Sequence, residues 1–174
     1  MKHYFESDKT GKLKEYVGSK AKYNEKEGWM KLTQLVLIQS FEDEFNLPKS
    51  SYKTAGTPGK SDVKLNEEEY GEYRKGVSKL INLADNSRLN ILNPVREVAR
   101  HGLDPSLAHM NEVLQIMRYC VDTKEYGLFF NPYGEWDGTA DFFFNITGRS
   151  DSTYGSRKDT MMSVSGWSCE IIGA

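Results

Sequence analysis

Asp151 is the side chain in this 174-residue chain best placed by pattern to do chemistry. It closes a run in which Phe142, Phe144 and Ile146 alternate with Phe143, Asn145 and Thr147, the period of a half-buried strand. A second strand-like run, Val164 to Ile172, follows a polar connection. A carboxylate is a hard oxygen donor suited to Mg²⁺, but two-ion hydrolytic chemistry draws on carboxylates from several elements. Taken alone, Asp151 in "RSDST" reads first as an exposed turn residue. A second group is cationic: Arg74, Lys75, Lys79, Arg96, Arg100 and Arg118. Between Arg74 and Lys124 eight Lys or Arg face five Asp or Glu, an excess of three positive charges. Such residues either neutralise phosphates or form a solvated helix face. His101 and His109 lack the i, i+4 spacing of a helical metal pair, so no metal is expected there. Cys120 and Cys169 have no CxxC partner and read as reduced thiols. No P-loop, dinucleotide glycine motif or Ser-His-Asp set is present.

The elements that must position these residues are short. Residues 13–32 read as two strands around "NEKEG", with Val17, Ala21 and Tyr23 on one face. Thr33 is placed to cap a helix whose stripe is Leu37, Ile38, Phe41 and Phe45, with Pro48 ending it. Residues 48–66 mix Gly, Pro, Ser and Lys without periodicity and read as a linker. Tyr70, Tyr73, Val77, Leu80, Ile81 and Ala84 then mark an amphipathic helix. A second helix is expected from cap Asn93 and Pro94, burying Val95, Val98 and Ala99 and stopping at Gly102. A third is expected from cap Asp104 and Pro105, with a seam of Leu107, Met110, Leu114, Met117 and Val121. Three such helices with short joints make a small bundle.

Composition sets broad bounds. Apolar residues are 38% of the chain, with three Trp, ten Tyr and eight Phe, enough for a packed core. The formal charge of −2 excludes a surface that is polyanion-binding throughout, while leaving room for a local basic patch. The start "MKHYFESDKTGK" carries no apolar core of a signal peptide, and no run reaches membrane-spanning length. The expectation is a protein without membrane association, intracellular, cytoplasmic or nuclear.

In order, three blocks resemble the copia-type LTR retrotransposon Pol polyprotein where reverse transcriptase meets RNase H. The first is "GKLKEYVGSKAKY" with "GWMKLTQLVLIQSFEDEFNLP". The second is "EYRKGVSKLINLADNSRLNILNPVREVARHGLDPSLAHMNEVLQIMRYCVDTKEYGL". The third is "GRSDSTYGSRKDTMMSVSGWSCEIIGA". Together they cover nearly the whole chain. The resemblance implies an α+β fold: a palm-end β-hairpin and helix over 1–47, a linker over 48–66, a thumb-like or connection-like helical bundle over 67–123, and over 124–174 the first strands of an incomplete RNase H-like fold.

The resemblance also implies roles. Asp151 matches the first metal-binding, catalytic carboxylate of RNase H, vestigial here, with Mg²⁺ as the parent cofactor. Arg74, Lys75, Lys79, Arg96, Arg100 and Arg118 fall on helices that in the family follow the primer–template duplex or the RNA–DNA hybrid, and the rest of the Pol polyprotein is the implied protein partner. Departures from the family pattern are specific. No adjacent Asp-Asp pair is present, so the polymerase metal site lies upstream in the parent. The family's Arg-Pro-Asp-Ile reads Arg88, Leu89, Asn90, Ile91, with Pro94 following, which suggests a helix starting later. Met161 and Met162 replace an Arg pair, and Ser152 replaces a second Asp. The implied function is a fragment inactive on its own. The alternatives are a small nucleic-acid-binding module and a protein-interaction module docking through the sheet edge near Ile171.

Overall fold

A computed structural model describes residues 14–49, 55, 61, 63–130, 144–153 and 164–173. The rest of the expected linker and Met161 and Met162 lie outside the described residues. The fold is mixed α and β with small antiparallel sheets. The described residues form two compact units, residues 14–26 with 30–130, and residues 27–29 with 144–153 and 164–173.

The first unit opens on β1 (Glu15–Tyr16), β2 (Ser19–Asn24) and, from its second residue onward, β3 (Trp29–Thr33). The expected face of Val17, Ala21 and Tyr23 does not form, because Val17 is a turn residue. Val17 and Gly18 both take positive φ, 47° and 72°, the mirror-image two-residue turn whose twist matches antiparallel strands. The polar turn at residues 25–28 is where the sequence placed it, and Gly28 supplies the positive φ of 70°. β4 (Leu128–Phe130) returns from the far end of the unit to pair antiparallel with β3, Leu32 opposite Leu128 and Met30 opposite Phe130. The order is β1-β2-β3-β4. Gly127 admits this pairing: a Cβ there would lie 2.2 Å from the Leu32 carbonyl oxygen.

Four helices form the core of this unit: α1 (Leu35–Glu44), α2 (Glu67–Asn86), α3 (Leu92–Arg100) and α4 (Leu107–Asp122). Ile38, Phe41 and Phe45 of the first stripe join Tyr73, Val77, Leu80, Leu83, Ala84, Val95, Val98, Val113, Ile116, Met117 and Cys120 in one cluster. The 48–66 stretch therefore separates segments that share a core. Gly76 sits at the crossing, where a Cβ would approach Val113 Cγ1 to 2.9 Å and Met117 Cε to 3.2 Å. Ile81, expected inside, is 40% exposed, and Leu107 is 37% exposed. The seam of α4 instead runs through Met110, Val113, Met117 and Cys120.

The helix starts differ from the sequence reading. α1 begins after Gln34, not Thr33, and Gln34 makes no capping bond of its own. α2 has a capping box absent from the sequence reading, in which Asn66 Oδ1 accepts from the Glu69 N–H and Glu69 accepts from the Asn66 N–H, both at 2.9 Å. α3 starts at Leu92, directly after a 3-10 turn over Leu89–Ile91. Pro94 is its third residue, tolerated because N–H groups of a first turn have no intrahelical partner to lose. The helix therefore starts earlier than Pro94 suggests. The last helical residue of α3 is Arg100, two before Gly102. For α4 the cap is Ser106 rather than Asp104.

The second unit is described by one antiparallel pair, β5 (Phe144–Thr153) with β6 (Val164–Gly173). The two runs expected to be strands thus pair with each other over their whole described lengths.

Candidate nucleic-acid surface and the Asp151 strand

The six cations expected to meet phosphate divide into two sets. Glu44 at the end of α1 draws Lys75 and Lys79 of α2 into ion pairs, each at 2.5 Å. Those ammonium groups, Lys75 first, hold the Glu44 carboxyl down at about 2. Lys79 also donates to Ser40 Oγ at 2.9 Å, and Lys75 lies over the Phe45 ring. Arg118 on α4 pairs with Asp122 at 2.7 Å and approaches Glu42 at 3.9 Å. These three spend their charge joining helices inside the unit.

Arg74, Arg96 and Arg100 have a different setting. Arg74, exposed on α2, lies over the Tyr70 ring at 5.9 Å from its centroid. Arg100 ends α3 and meets Glu97 one turn back at 2.6 Å. The packing of α2 on α3 brings Arg74 and Arg100 to the walls of a single cleft of about 400 Å³, with Tyr70, Tyr73, Ser78 and Leu103 among its lining residues. Arg96 is exposed one turn before Arg100 on the same face of α3. Among the described residues no carboxylate is part of the cleft lining, although Glu97 engages Arg100 from beside it. The tyrosines are fixed by their hydroxyls. Tyr70 donates to the Gly102 carbonyl at 2.9 Å and Tyr73 to the Val98 carbonyl. Burial, then the charge of Glu112, pushes the Tyr73 phenol up to about 12, so it remains a donor. Two guanidinium groups on one cleft can take a phosphate, while Tyr73 is fully buried and Tyr70 is half-buried beneath Arg74, so the rings build the wall rather than offer a stacking face. The spacing of Tyr70 and Tyr73 reads as core, which holds for Tyr73, fully buried, while Tyr70 is half-buried at the cleft.

Asp151 stands in β5 directly opposite Gly166 of β6. Residues facing across an antiparallel pair share one face of the sheet, so no side chain stands over Asp151 from β6 at that position. Its carboxylate is exposed, and Arg149 lies two residues away on the same face. Trp167 and Cys169 occupy the opposite face, Trp167 at 83% exposure. Among the described residues no three His, Cys, Asp or Glu side chains are placed to hold a metal ion. One exposed carboxylate falls short of the donor set that a two-ion centre needs. His101 and His109 do meet, as stacked rings 3.8 Å apart and 12° from parallel. Cys120 is buried and free, its thiol pushed up to about 12 by burial, whereas Cys169 is exposed and free.

No protein-family model, curated protein or solved structure matches the chain. Among the described residues no helix is long and apolar enough to cross a membrane.

Proposed function

We propose that this chain is the stretch of a copia-type retrotransposon Pol polyprotein where reverse transcriptase passes into RNase H. Its part is contact with the RNA–DNA hybrid or primer–template duplex, and it has no bond-making activity of its own. RNA-directed DNA synthesis and cleavage of the hybrid belong to the parent protein. The reading is supported by the order of elements, a hairpin and helix, a small helical bundle, then an antiparallel strand pair with Asp151 on an open face. The observation that carries the contact role is the convergence of Arg74 and Arg100 on the walls of one cleft, Arg74 exposed and Arg100 also meeting Glu97.

Phosphate contacts release counterions, so affinity for duplex falls with salt at a slope of about 0.9 per phosphate neutralised. Fluorescence anisotropy of a labelled RNA–DNA hybrid, titrated at several salt concentrations, measures that slope. Arg74→Gln with Arg100→Gln is expected to weaken binding several-fold and lower the slope by about 1 to 2. Lys75→Gln is expected to leave the slope unchanged, since Lys75 already faces Glu44. Absence of binding at low salt would remove the contact role. The transcript on either side of this reading frame tests the family separately: an Asp-Asp polymerase motif before it and further RNase H acids after it are expected.

A nucleic-acid-binding module independent of any polyprotein is the second reading, favoured by the same cleft. It predicts the same salt slope with neither flanking motif.

A further inference from the structure

The start of α4 is held by a histidine. Ser106 is the cap, and the imidazole of His109 occupies the place that Glu or Gln takes in an ordinary capping box. The Ser106 main-chain N–H donates to His109 Nδ1 at 3.0 Å, and Ser106 Oγ lies 3.1 Å from the same nitrogen. This bond needs the Nδ1 lone pair, and therefore the tautomer carrying its proton on Nε2. The same few residues fasten a second strap. The Leu107 N–H donates to the Val63 carbonyl at 2.8 Å, Lys64 forms a β-bridge with Ser106, and Lys64 also pairs with Asp104. Residues 63–66 lead straight into the capping box of α2. One histidine thus sits where the entrances to two core helices are tied together.

We propose that His109 is a pH-sensitive clasp, whose neutral imidazole holds the Ser106–Leu107 start of α4 in the shape that ties it to the 63–66 segment, and whose protonation loosens it. A proton on Nδ1 turns the acceptor into a donor facing the Ser106 N–H, which removes that bond and leaves Ser106 Oγ, 3.1 Å away, as the acceptor within reach. It also adds positive charge at a helix N-terminus, where the dipole disfavours cations. Each neighbouring element brings a charged or titratable group to bear on this ring. His101 from the end of α3 stacks on it, Lys64 comes from the incoming segment, and Asp104 from the loop before α4. Asp104 favours the proton, but its carboxylate is engaged by Lys64. On α4 itself the next acid is Glu112, three residues on.

Burial, then the charge of His101, then that of Lys64, lowers His109 below the ordinary imidazole value of 6.5. With a lowered value in the folded state, the unfolded chain takes up the proton first. The clasp therefore contributes fully above pH 6.5, and its contribution drains away as pH falls through the folded value.

The inference is independent of any nucleic-acid role. Its test is an NMR titration of the histidine side chains in the intact chain, with urea unfolding from pH 7.5 to 5.0 for wild type and His109→Gln. Glutamine keeps an acceptor for the Ser106 N–H and does not titrate. The expected results are an Nε2–H tautomer at pH 7.5, a His109 midpoint below 6.5, and a several-fold larger acid loss of the folding constant in wild type than in H109Q. The Leu107 amide should lose exchange protection over the same range. Parallel pH profiles for the two proteins, an Nδ1–H tautomer at neutral pH, or a midpoint at or above 6.5 would each overturn the proposal. Should H109Q not fold, the wild-type tautomer and midpoint decide the matter alone.

Discussion

Arg88 reaches from the turn after α2 to close the far end of α4 at Thr123. Its two terminal nitrogens donate to the Thr123 carbonyl at 3.0 Å and the Thr123 hydroxyl at 2.8 Å. Its Nε donates to Asn90 Oδ1 at 3.1 Å, and its guanidinium lies near the rings of Tyr119 and Tyr126, 5.7 and 5.5 Å from their centroids. Arg88 is 1% exposed, and among the described residues no carboxylate pairs with it. The negative end of the α4 dipole is placed to take that role, with ring faces on its sides.

The geometry requires a fork, because one side chain must satisfy a carbonyl and a hydroxyl of the same residue. Arg88→Lys keeps a cation but has no planar pair of donors. Urea unfolding is expected to show a loss on the order of 2 kcal/mol for Arg88→Lys and about 3 kcal/mol for Arg88→Ala. Lysine retaining the stability of the wild type would show that charge alone, rather than the fork, closes this helix.

Arg88 also marks where the sequence stops being legible. Its partner lies 35 residues further on, and no local pattern distinguishes a buried arginine from a solvated one. The pairing of residues 144–153 with 164–173 is expected only from the resemblance. The stripes of α1 and α2, the three later helices and the strand character of those two runs follow from periodicity, which is local. The starts of α3 and α4 do not. Asn93-Pro94 and Asp104-Pro105 carry the usual signature of a helix start, yet the 3-10 turn after Arg88 begins α3 earlier and His109 selects Ser106 as the cap of α4. The candidate cleft was half visible. Arg74 and Arg100 stood out by charge, but their convergence depends on how α2 crosses α3. Lys75 and Lys79 stood out equally and prove to be partners of Glu44. His101 and His109 looked unrelated because no helical spacing joins residues on either side of a turn.

Two glycines of α2 should respond oppositely to the same change. Gly71 faces open space, so Gly71→Ala removes backbone entropy from the unfolded chain and is expected to stabilise by about 0.5 to 1 kcal/mol. Gly76→Ala gains the same propensity but drives a methyl against Val113 and Met117 of α4. Overpacking of that kind costs on the order of 1 to 3 kcal/mol, so a net loss is expected in thermal unfolding. Equal stabilisation by both would mean that α4 moves away from α2 at no cost.

Glu112 predicts a pH dependence of its own. It is buried on α4 at 5% exposure, and burial, followed by the charge of Glu97, raises its carboxyl above the ordinary value of 4.5. The folded state then holds the proton more tightly than the unfolded chain, so this group costs stability as pH rises from 4.5 through the raised value. Glu112→Gln removes the cost and preserves the shape. The variant should unfold at a higher urea concentration than wild type at pH 7.5, with the difference shrinking toward pH 4. A difference that stays constant with pH would show that the ionised carboxylate has partners that fully compensate its burial.

Asp151 tests the chemistry directly. Its carboxylate is exposed on β5 opposite a glycine, and no set of three ligating side chains forms among the described residues. Mg²⁺ dehydrates reluctantly and keeps most of its waters when offered one carboxylate, so bulk solvent competes for the ion. In-line displacement needs the attacking and leaving oxygens both clamped, which a single ligand cannot do. Asp151→Asn is therefore expected to change neither Mg²⁺ affinity nor cleavage of an RNA–DNA hybrid, with wild type already near background. The comparison is a Mg²⁺ titration and a hybrid-cleavage assay of both proteins at equal concentration. Cleavage by wild type that disappears in Asp151→Asn would mean that further acids do gather around this strand, in one chain or between two, and that the chain is a nuclease after all.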